Sequence, residues 1–112
     1  MKKIEAIIRP EKFGPVSFAL ETLGCTGISI TEIEGHGKQK GIVQQWRGEK
    51  FRISTLPKVK LELVVADKDV KKITSSIIKN AKTGEMGDGK IFIYPVDSAI
   101  RIRTEEEGEA AL

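Results

Sequence analysis

The sequence predicts an α+β fold of the ferredoxin-like type, with the element order βαββαβ, an antiparallel sheet and a long loop between strands two and three. Four segments are rich in alternating or β-branched apolar residues, which is typical of strands, and two segments carry apolar residues at helical spacing. The length of 112 residues is that of one domain. We therefore expect a single domain over residues 1–112.

The first half of the chain predicts a strand over residues 2–9, a helix, and a second strand over residues 27–35. Apolar residues alternate in the first strand, at Ile4, Ala6 and Ile8. In the helix they recur at spacings of three, four and three, at Phe13, Val16, Leu20 and Leu23. Gly24 follows, where a glycine commonly ends a helix because it adopts a left-handed backbone without strain.

The second half predicts a third strand over residues 59–66, a helix, and a fourth strand over residues 90–94 that Pro95 ends. The third strand alternates cleanly, at Val59, Leu61, Leu63 and Val65. Asp67 is a suitable N-cap for the helix, whose apolar face comprises Val70, Ile73, Ile77 and Ala81. Because both helices cover one face of the sheet, we expect a symmetric partner to cover the other.

Composition excludes several classes of protein. Hydrophobic residues make up 39% and charged residues 31%, which disfavours disorder, and no apolar run is long enough to span a bilayer. The net charge of +3 could suit nucleic acid, but no aromatic residue lies on the first or third predicted strand, where an RNA-binding module of this fold stacks bases. A single cysteine, Cys25, fits a reducing compartment, and the N-terminus lacks the features of a signal peptide. We therefore expect a cytoplasmic protein that binds no nucleic acid and does not insert into a membrane.

Residues 36–57 form an unusually long connection between the second and third strands. A hairpin needs only a few residues, and a connection of this length in a compact domain is usually functional or disordered. Two interpretations remain open: a long hairpin without a role, or a binding loop whose conformation changes with a ligand.

The segment 83–90, with the sequence TGEMGDGK, contains three glycines and ends in a lysine. Backbone N–H groups of such a turn can approach a phosphate closely, with an ammonium group beside them. Residues 84–90 also fit the first seven positions of a P-loop, but Ile91 stands where a Ser or Thr would bind magnesium, and a strand follows where a P-loop opens a helix. We therefore reject the P-loop and keep two interpretations, a phosphate site and an ordinary glycine turn.

Arg101 and Arg103 are expected on one side of a short extended segment that includes Ile100 and Ile102. Two guanidinium groups in that arrangement would suit phosphate oxygens, although they could equally be solvated surface arginines. Glu62 should point away from the core, towards the uncovered face of the sheet, where its carboxylate needs a partner.

Five motifs, in order along the chain, resemble the PII nitrogen-regulatory signal-transduction family. They are GxGKQKG at 35–41, RG at 47–48, LPKVK at 56–60, TGxxGDGKIF at 83–92 and IRIRT at 100–104. Any one of them would be weak evidence, whereas five at the right separations are highly specific. The likeness runs from Met1 to Leu112 without an evident gap.

The resemblance implies a homotrimer that binds ATP or ADP in the clefts between subunits. The glycine-rich turn and Lys38 would hold the phosphates, assisted by Arg101 and Arg103 of a neighbouring subunit. Three residues, Ser29, Glu62 and Val64, would line the adenosine pocket. The whole implied nucleotide-binding set is Ser29, Gly37, Lys38, Gln39, Glu62, Val64, Gly87, Asp88, Gly89, Lys90, Arg101 and Arg103.

The resemblance further implies that Mg²⁺ and 2-oxoglutarate join the bound ATP. Gln39 would coordinate the magnesium through its side chain. The oxo acid would be held by Gln39, Lys40 and Gly41 at one end and by Lys58 at its distal carboxylate. Because a 2-oxo acid can chelate a magnesium ion already held by ATP, the two ligands would be coupled, and ADP would favour a different loop conformation.

The long loop would contact target proteins, and Trp46 and Arg47 would belong to that surface. An ammonium transporter is the leading candidate partner, and a metabolic enzyme such as glutamine synthetase is the second. Phe51 stands where some relatives carry a nucleotidylated tyrosine, and Glu49 where others carry a phosphorylated serine, so neither modification can occur there. We expect a ligand-sensing regulator and no enzyme, with a slow ATPase and an adenylate sensor that ignores 2-oxoglutarate as the alternatives.

Overall fold

The computed structural model describes residues 1–35, 43–46, 49–52 and 56–112. The two α-helices of this part of the chain are α1 (Phe13–Thr22) and α2 (Val70–Ala81). Its strands are β1 (Lys2–Ile8), β2 (Ser29–Gly35), β3 (Val43–Trp46), β4 (Glu49–Arg52), β5 (Leu56–Val65) and β6 (Lys90–Pro95). Short 3₁₀ helices cover Pro10–Lys12, Asp67–Asp69 and Gly108–Ala111.

Four of these strands form one antiparallel sheet in the order β2-β5-β1-β6. The strand β1 pairs with β5 from Lys2↔Val65 onwards and with β6 from Lys2↔Pro95 onwards, so the N-terminal strand is central. Two central strands flanked by β2 and β6, with two helices in the connections, are the ferredoxin-like arrangement. The predicted fold class is thereby confirmed.

The core lies between the helices and one face of the sheet. Its buried side chains come from β1, β5 and both helices: Ile4, Ala6, Ile8, Val16, Leu20, Val59, Leu61, Leu63, Ile73, Ile77 and Ala81. These positions follow the predicted periods of two and about 3.6, because each period directs its apolar residues to one side. Among the described residues, no helix is long and apolar enough to cross a membrane.

The helix α1 ends in a Schellman motif, as the position of Gly24 predicts. Gly24 has a φ of 82°, and its N–H donates to the carbonyl oxygen of Glu21 at 2.9 Å. The N–H of Cys25 donates to the carbonyl oxygen of Leu20 at 3.0 Å. The chain therefore leaves the helix at a defined angle towards β2. Leu23, predicted on the apolar face, is 37% exposed because it lies beyond the last helical turn.

Asp67 does not cap α2, and this prediction was wrong. The N-caps of the short 3₁₀ helix and of α2 are Ala66 and Asp69, and neither makes a side-chain cap hydrogen bond. The carboxylate of Asp67 lies 3.0 Å from the N-terminal ammonium of Met1 instead. The carboxylate of Asp67 therefore pairs with the positive charge next to the start of β1 and does not cap the helix.

The connection between β2 and β5 contains regular structure that the sequence analysis missed. The strands β3 and β4 pair antiparallel from Val43↔Arg52 to Trp46↔Glu49. The strand β5 begins at Leu56, which pairs with Gly35, and not at the predicted position 59. The predicted loop over 36–57 was therefore wrong at these strands, because cross-strand pairing overrides a polar local composition.

The second face of the sheet is not covered within the described part of one chain. Lys3 is in register with Val64 and Tyr94, and Glu5 is in register with Glu62 and Phe92. Phe92 and Tyr94 are 43% and 44% exposed. Two half-exposed aromatic rings among charged residues make this face suitable for contact with another protein surface.

Candidate functional site

The turn between α2 and β6 is built around the carboxylate of Asp88. This carboxylate accepts hydrogen bonds from the backbone N–H groups of Thr83 and Gly84, both at 2.9 Å, and from the hydroxyl of Thr83. The Thr83 hydroxyl foremost, with the two N–H groups and Arg9, holds the pKa of Asp88 well below its usual range. Asp88 is therefore an anion that fastens the start of the turn to its end.

Two cations hold the same turn from the opposite side. Arg9 reaches it with two nitrogens: Nε lies 3.1 Å from Oδ1 of Asp88, and Nη2 donates to the carbonyl oxygen of Met86 at 2.7 Å. Nζ of Lys58 donates to the carbonyl oxygen of Gly87 at 2.6 Å. Partial burial lowers the pKa of Lys58, and the nearby charge of Arg9 lowers it further. The carbonyl groups of residues 86 and 87 thus point towards positive charge.

The N–H groups of Gly87 and Asp88 face the other way. In a trans peptide the C=O bond and the following N–H bond point in opposite directions, and no peptide bond here is cis. Within residues 1–35 and 56–112, neither of these two N–H groups has a hydrogen-bond partner. Two adjacent N–H groups, each opposite a carbonyl that accepts from a cation and followed by Lys90, are a suitable cradle for an anionic oxygen.

Gly89 fixes the turn against the first strand. Its φ is 98°, and a Cβ at this position would lie 1.7 Å from the carbonyl oxygen of Ile7. No side chain fits in that space, so the backbone at residue 89 packs directly on β1. Gly84 and Gly87 also have positive φ angles, of 91° and 99°. The predicted glycine-rich turn therefore uses its glycines for conformation and for close approach.

A cavity of about 240 Å³ opens beside this turn, between β1, β6 and the C-terminal end of α2. Its lining is mainly apolar and includes two lysines: Ile7, Ile8, Ile77, Ile78, Ala81, Lys82, Asp88, Gly89, Lys90 and Ile91. The turn therefore combines polar N–H groups with an adjacent cavity that is mainly apolar.

The three residues expected to line an adenosine pocket lie together on the uncovered face of the sheet. Ser29 pairs with Glu62 across β2 and β5, and Val64 follows two residues later on the same face. The carboxylate of Glu62 lies 2.6 Å from Nζ of Lys3 and 3.6 Å from Nζ of Lys60. The hydrogen bond from Lys3 lowers the pKa of Glu62. Glu62 thus has the partner that its position requires.

One chain does not bring this group of residues to the glycine-rich turn. Lys58 contacts the turn, and Glu62 follows it by four residues on the same face of β5. At about 3.3 Å per residue, the two positions are about 13 Å apart along the strand. Within one chain, Glu62 therefore lies well away from the contact between Lys58 and the turn.

Arg101 and Arg103 do not lie on one side of an extended segment, and this prediction was wrong. Residues 102–104 form a turn, and the expected extra strand is reduced to a single bridge between Ile100 and Glu107. Nη1 of Arg101 lies 2.9 Å from Oε1 of Glu106. Nη2 of Arg101 donates to a C-terminal carbonyl oxygen, that of Leu112, at 3.1 Å. The chain thus reverses between Arg101 and its partner Glu106, while Arg103 is exposed.

Several predicted site residues lie outside the described residues: Gly37, Lys38, Gln39, Lys40, Gly41 and Arg47. The backbone of Trp46 belongs to β3. The roles expected for these positions in binding phosphate, magnesium, oxo acid and partner stay predictions.

Arg9 is the site residue that the sequence analysis missed. No spacing links it to Asp88, which is 79 residues further along the chain. The two meet because β1 and β6 are neighbours in register, with Ile7 opposite Lys90. In the sequence, Arg9 appears only as a basic residue at the end of the first strand, directly before Pro10. Its contact with the turn can be inferred only once the order of the strands in the sheet is known.

Comparison with known proteins agrees with this fold over nearly the whole chain. The sequence model described as "Nitrogen regulatory protein P-II" matches residues 1–106. The chain is 53% identical over 112 residues to Nitrogen regulatory protein P-II 2 of Methanothermobacter thermautotrophicus, covering 100% of this chain and 97% of that protein. It is 49% identical to Nitrogen regulatory protein P-II 1 of Escherichia coli, with 100% of both chains covered. A crystal structure of Arabidopsis thaliana PII bound to citrate is similar with a TM-score of 0.80 and 39% identity, over 99% of this chain and 91% of that chain. The chain belongs to the P-II family of nitrogen regulatory proteins.

Proposed function

We propose that this P-II protein binds ATP or ADP with its glycine-rich turn and reports the bound ligand to a target protein. The observation that carries the proposal is the pair of N–H groups at Gly87 and Asp88, which lack a partner in the described structure and point away from Arg9 and Lys58. A phosphate oxygen would accept from both groups, and Lys90 would add a positive charge.

A second chain completes the proposed nucleotide site. Ser29, Glu62 and Val64 would bind the adenosine of a nucleotide whose phosphates lie on the turn of a neighbouring chain. The position of these three residues on the uncovered face of the sheet supports this division, because a second chain is expected to pack there. A homotrimer that packs the uncovered sheet faces around one axis would also bury Phe92 and Tyr94.

Arg101 and Arg103 of the neighbouring chain would assist the phosphates in this assembly. Arg101 would first have to leave Glu106, to which it is paired at 2.9 Å. That pair is more than a third exposed on the arginine side and nearly half exposed on the glutamate side, so its loss is a modest penalty. A polyphosphate offers the guanidinium a stronger bidentate partner.

Mg²⁺ and 2-oxoglutarate would complete the ATP-bound state. Magnesium is commonly held by phosphates, water and few protein groups, so the side chain of Gln39 would suffice beside ATP and the oxo acid. Lys58 suits the distal carboxylate because its ammonium already lies at the edge of the turn. A lysine has three donors, so Lys58 can bind a carboxylate and keep the carbonyl of Gly87. Lys40 and Gly41 would hold the other end.

The segment 36–57 would act as the family's target-binding T-loop within one domain of residues 1–112, with residues 104–112 as its tail. Trp46 and Arg47 would contact the target, for which an ammonium transporter is the first candidate and glutamine synthetase the second. The protein would act in the cytoplasm as a regulator. Hydrolysis of ATP is disfavoured because Asp88, a candidate general base, is engaged by several donors and has a strongly lowered pKa.

Calorimetric titration of the full chain tests this function. ATP with Mg²⁺ is titrated alone and then with 2-oxoglutarate, in the wild type, in Lys58→Ala and in Lys71→Ala, a matched control on the exposed surface of α2. We expect ATP to bind, 2-oxoglutarate to bind only when ATP and Mg²⁺ are present, and Lys58→Ala alone to abolish the oxo-acid binding.

Two other outcomes would change the conclusion. If ATP binds and 2-oxoglutarate does not, the protein is an adenylate sensor and Lys58 has no oxo-acid role. If ATP itself does not bind, the phosphate interpretation of the turn is wrong, and an ordinary glycine turn remains.

A further inference from the structure

The guanidinium of Arg9 makes two contacts on either side of Gly87. Its Nε pairs with Asp88 and its Nη2 donates to the carbonyl of Met86, at 3.1 and 2.7 Å. The side chain of Arg9 is only 13% exposed, so it is packed against the turn and does not extend into solvent. A planar guanidinium holds two such acceptors in a fixed relative direction, which an ammonium group cannot do.

The turn needs such a fixed contact because its glycine-rich backbone can otherwise adopt several conformations. Gly84, Gly87 and Gly89 all have positive φ angles, and glycine reaches other conformations at little cost. Rotation of the peptide between Met86 and Gly87 would reverse the N–H of Gly87. The bond from Arg9 to the Met86 carbonyl opposes that rotation, because the carbonyl would lose its donor.

Arg9 also removes an electrostatic conflict within the proposed phosphate site. Asp88 is an anion in the turn that would bind an anion, and its carboxylate lies 3.1 Å from Nε of Arg9. Without the guanidinium, the charge of Asp88 would repel a phosphate group a few ångströms away. Within this pair, the positive charge of Arg9 offsets the negative charge of Asp88.

From these contacts we infer that Arg9 is a positioning residue: it aims the N–H of Gly87 at the phosphates and neutralises Asp88. Arg9 acts through the turn and is not itself required to touch the nucleotide. This inference rests on the proposed nucleotide binding and adds a residue on which phosphate affinity depends.

The test compares a ligand with phosphates to one without them. Dissociation constants of ATP and of adenosine are measured by NMR titration of the full-length chain as wild type, Arg9→Gln, Arg9→Lys and Lys12→Gln. Lys12 is the matched control, because it lies three residues away and its side chain makes no hydrogen bond or ion pair with the turn among the described residues. The amide signals of Gly87 and Asp88 report the turn directly, and thermal unfolding reports the fold.

We expect Arg9→Gln to weaken ATP binding about tenfold or more, as for the loss of a charged hydrogen bond, while adenosine affinity stays within about twofold. The amide signals of Gly87 and Asp88 should shift in the free variant. Arg9→Lys should recover part of the affinity, because it restores the charge without the two-point geometry. Lys12→Gln should match the wild type for both ligands.

Three results separate the inference from the proposed function. If the wild type does not bind ATP, the proposed function is wrong and the inference fails with it. If the wild type binds ATP and Arg9→Gln binds it equally well, only the inference is overturned. If Arg9→Gln and the folded Arg9→Lys both lose ATP and adenosine affinity to the same degree, Arg9 has a general structural role, which also overturns the inference.

Discussion

The ammonium of Lys58 donates a hydrogen bond of 2.6 Å to the carbonyl oxygen of Gly87, which ties β5 to the turn 29 residues further along the chain. The residue expected to bind an oxo acid thus also orients the peptide whose N–H belongs to the proposed phosphate cradle. The two proposed ligand sites therefore share a single side chain.

This shared side chain predicts that Lys58→Ala weakens ATP binding even when no oxo acid is present. Loss of this hydrogen bond lets the peptide between Gly87 and Asp88 rotate. We therefore expect the affinity for ATP to decrease a few-fold, which corresponds to about one hydrogen bond. Calorimetry with ATP and Mg²⁺ alone measures it, with Lys71→Ala as the control. Unchanged ATP affinity in Lys58→Ala would contradict a role of Lys58 in shaping the turn.

Two glycines of the turn should differ in their tolerance of alanine. At Gly84, φ is 91° and no atom lies within 4 Å of an added Cβ, so Gly84→Ala should cost only the left-handed backbone strain, about 1–2 kcal/mol. At Gly89 the same strain is joined by a clash at 1.7 Å with the carbonyl of Ile7, so Gly89→Ala should cost about 4 kcal/mol or more. Urea unfolding measures both values. Equal losses in the two variants would mean that the turn does not pack on β1 as described.

Asp88 should make stability depend on pH in the acid range. Its pKa in the folded protein lies below the usual value for aspartate of about 3.9, so its stabilising effect is fully present above about pH 4 and is lost as the pH falls further. We expect the difference in Tm between the wild type and Asp88→Asn to be largest at neutral pH and to shrink below pH of about 4.

Asp97→Asn serves as the control for this pH dependence, because Asp97 is exposed and makes no hydrogen bond or ion pair with the turn in the described structure. Its Tm should follow that of the wild type throughout. A difference between wild type and Asp88→Asn that stays constant from neutral pH to pH of about 2 would show that the charge of Asp88 is not what stabilises the turn.

The uncovered sheet face should mediate self-association. Phe92 lies on this face, opposite Glu5, so Phe92→Glu would place a third carboxylate near Glu5 and Glu62 and should convert the proposed trimer into monomers. Phe18→Glu is the matched control, because Phe18 is 72% exposed on α1, on the other side of the molecule. Light scattering coupled to gel filtration measures both masses. A wild type that elutes as a monomer would refute the assembly, and a trimeric Phe92→Glu would place the interface elsewhere.

The sheet, the helices and their buried faces could be predicted because each is marked by local periodicity. Ile4, Ala6 and Ile8 alternate along β1, and Gly24 follows α1 where its left-handed conformation is required. Such signals need no knowledge of the remainder of the chain. The glycine-rich turn was recognisable for the same reason, since its residues are contiguous.

The parts that were missed depend on contacts between distant or competing residues. Arg9 meets Asp88 only after β1 and β6 have paired. Arg101 is turned towards Glu106, whereas its spacing from Arg103 suggested a common strand face. Asp67 had two possible partners, a helix end and the ammonium of Met1, and composition could not decide between them. In each case a pairwise charge contact overrode the local pattern.

The strand β5 is hydrogen-bonded to β1 on one side and to β2 on the other, and it carries Lys58 and Glu62 four residues apart. Because β5 is paired on both sides, it acts as a rigid spacer that keeps the distance between Lys58 and Glu62 constant. In the proposed trimer each spacer would connect two neighbouring nucleotide sites, one at each end, so the three sites form a closed ring of fixed dimensions. In that trimer, a ligand in one site would affect the next by shifting or tilting whole subunits, and the proposed target-binding segment 36–57 would convert such a shift into a signal.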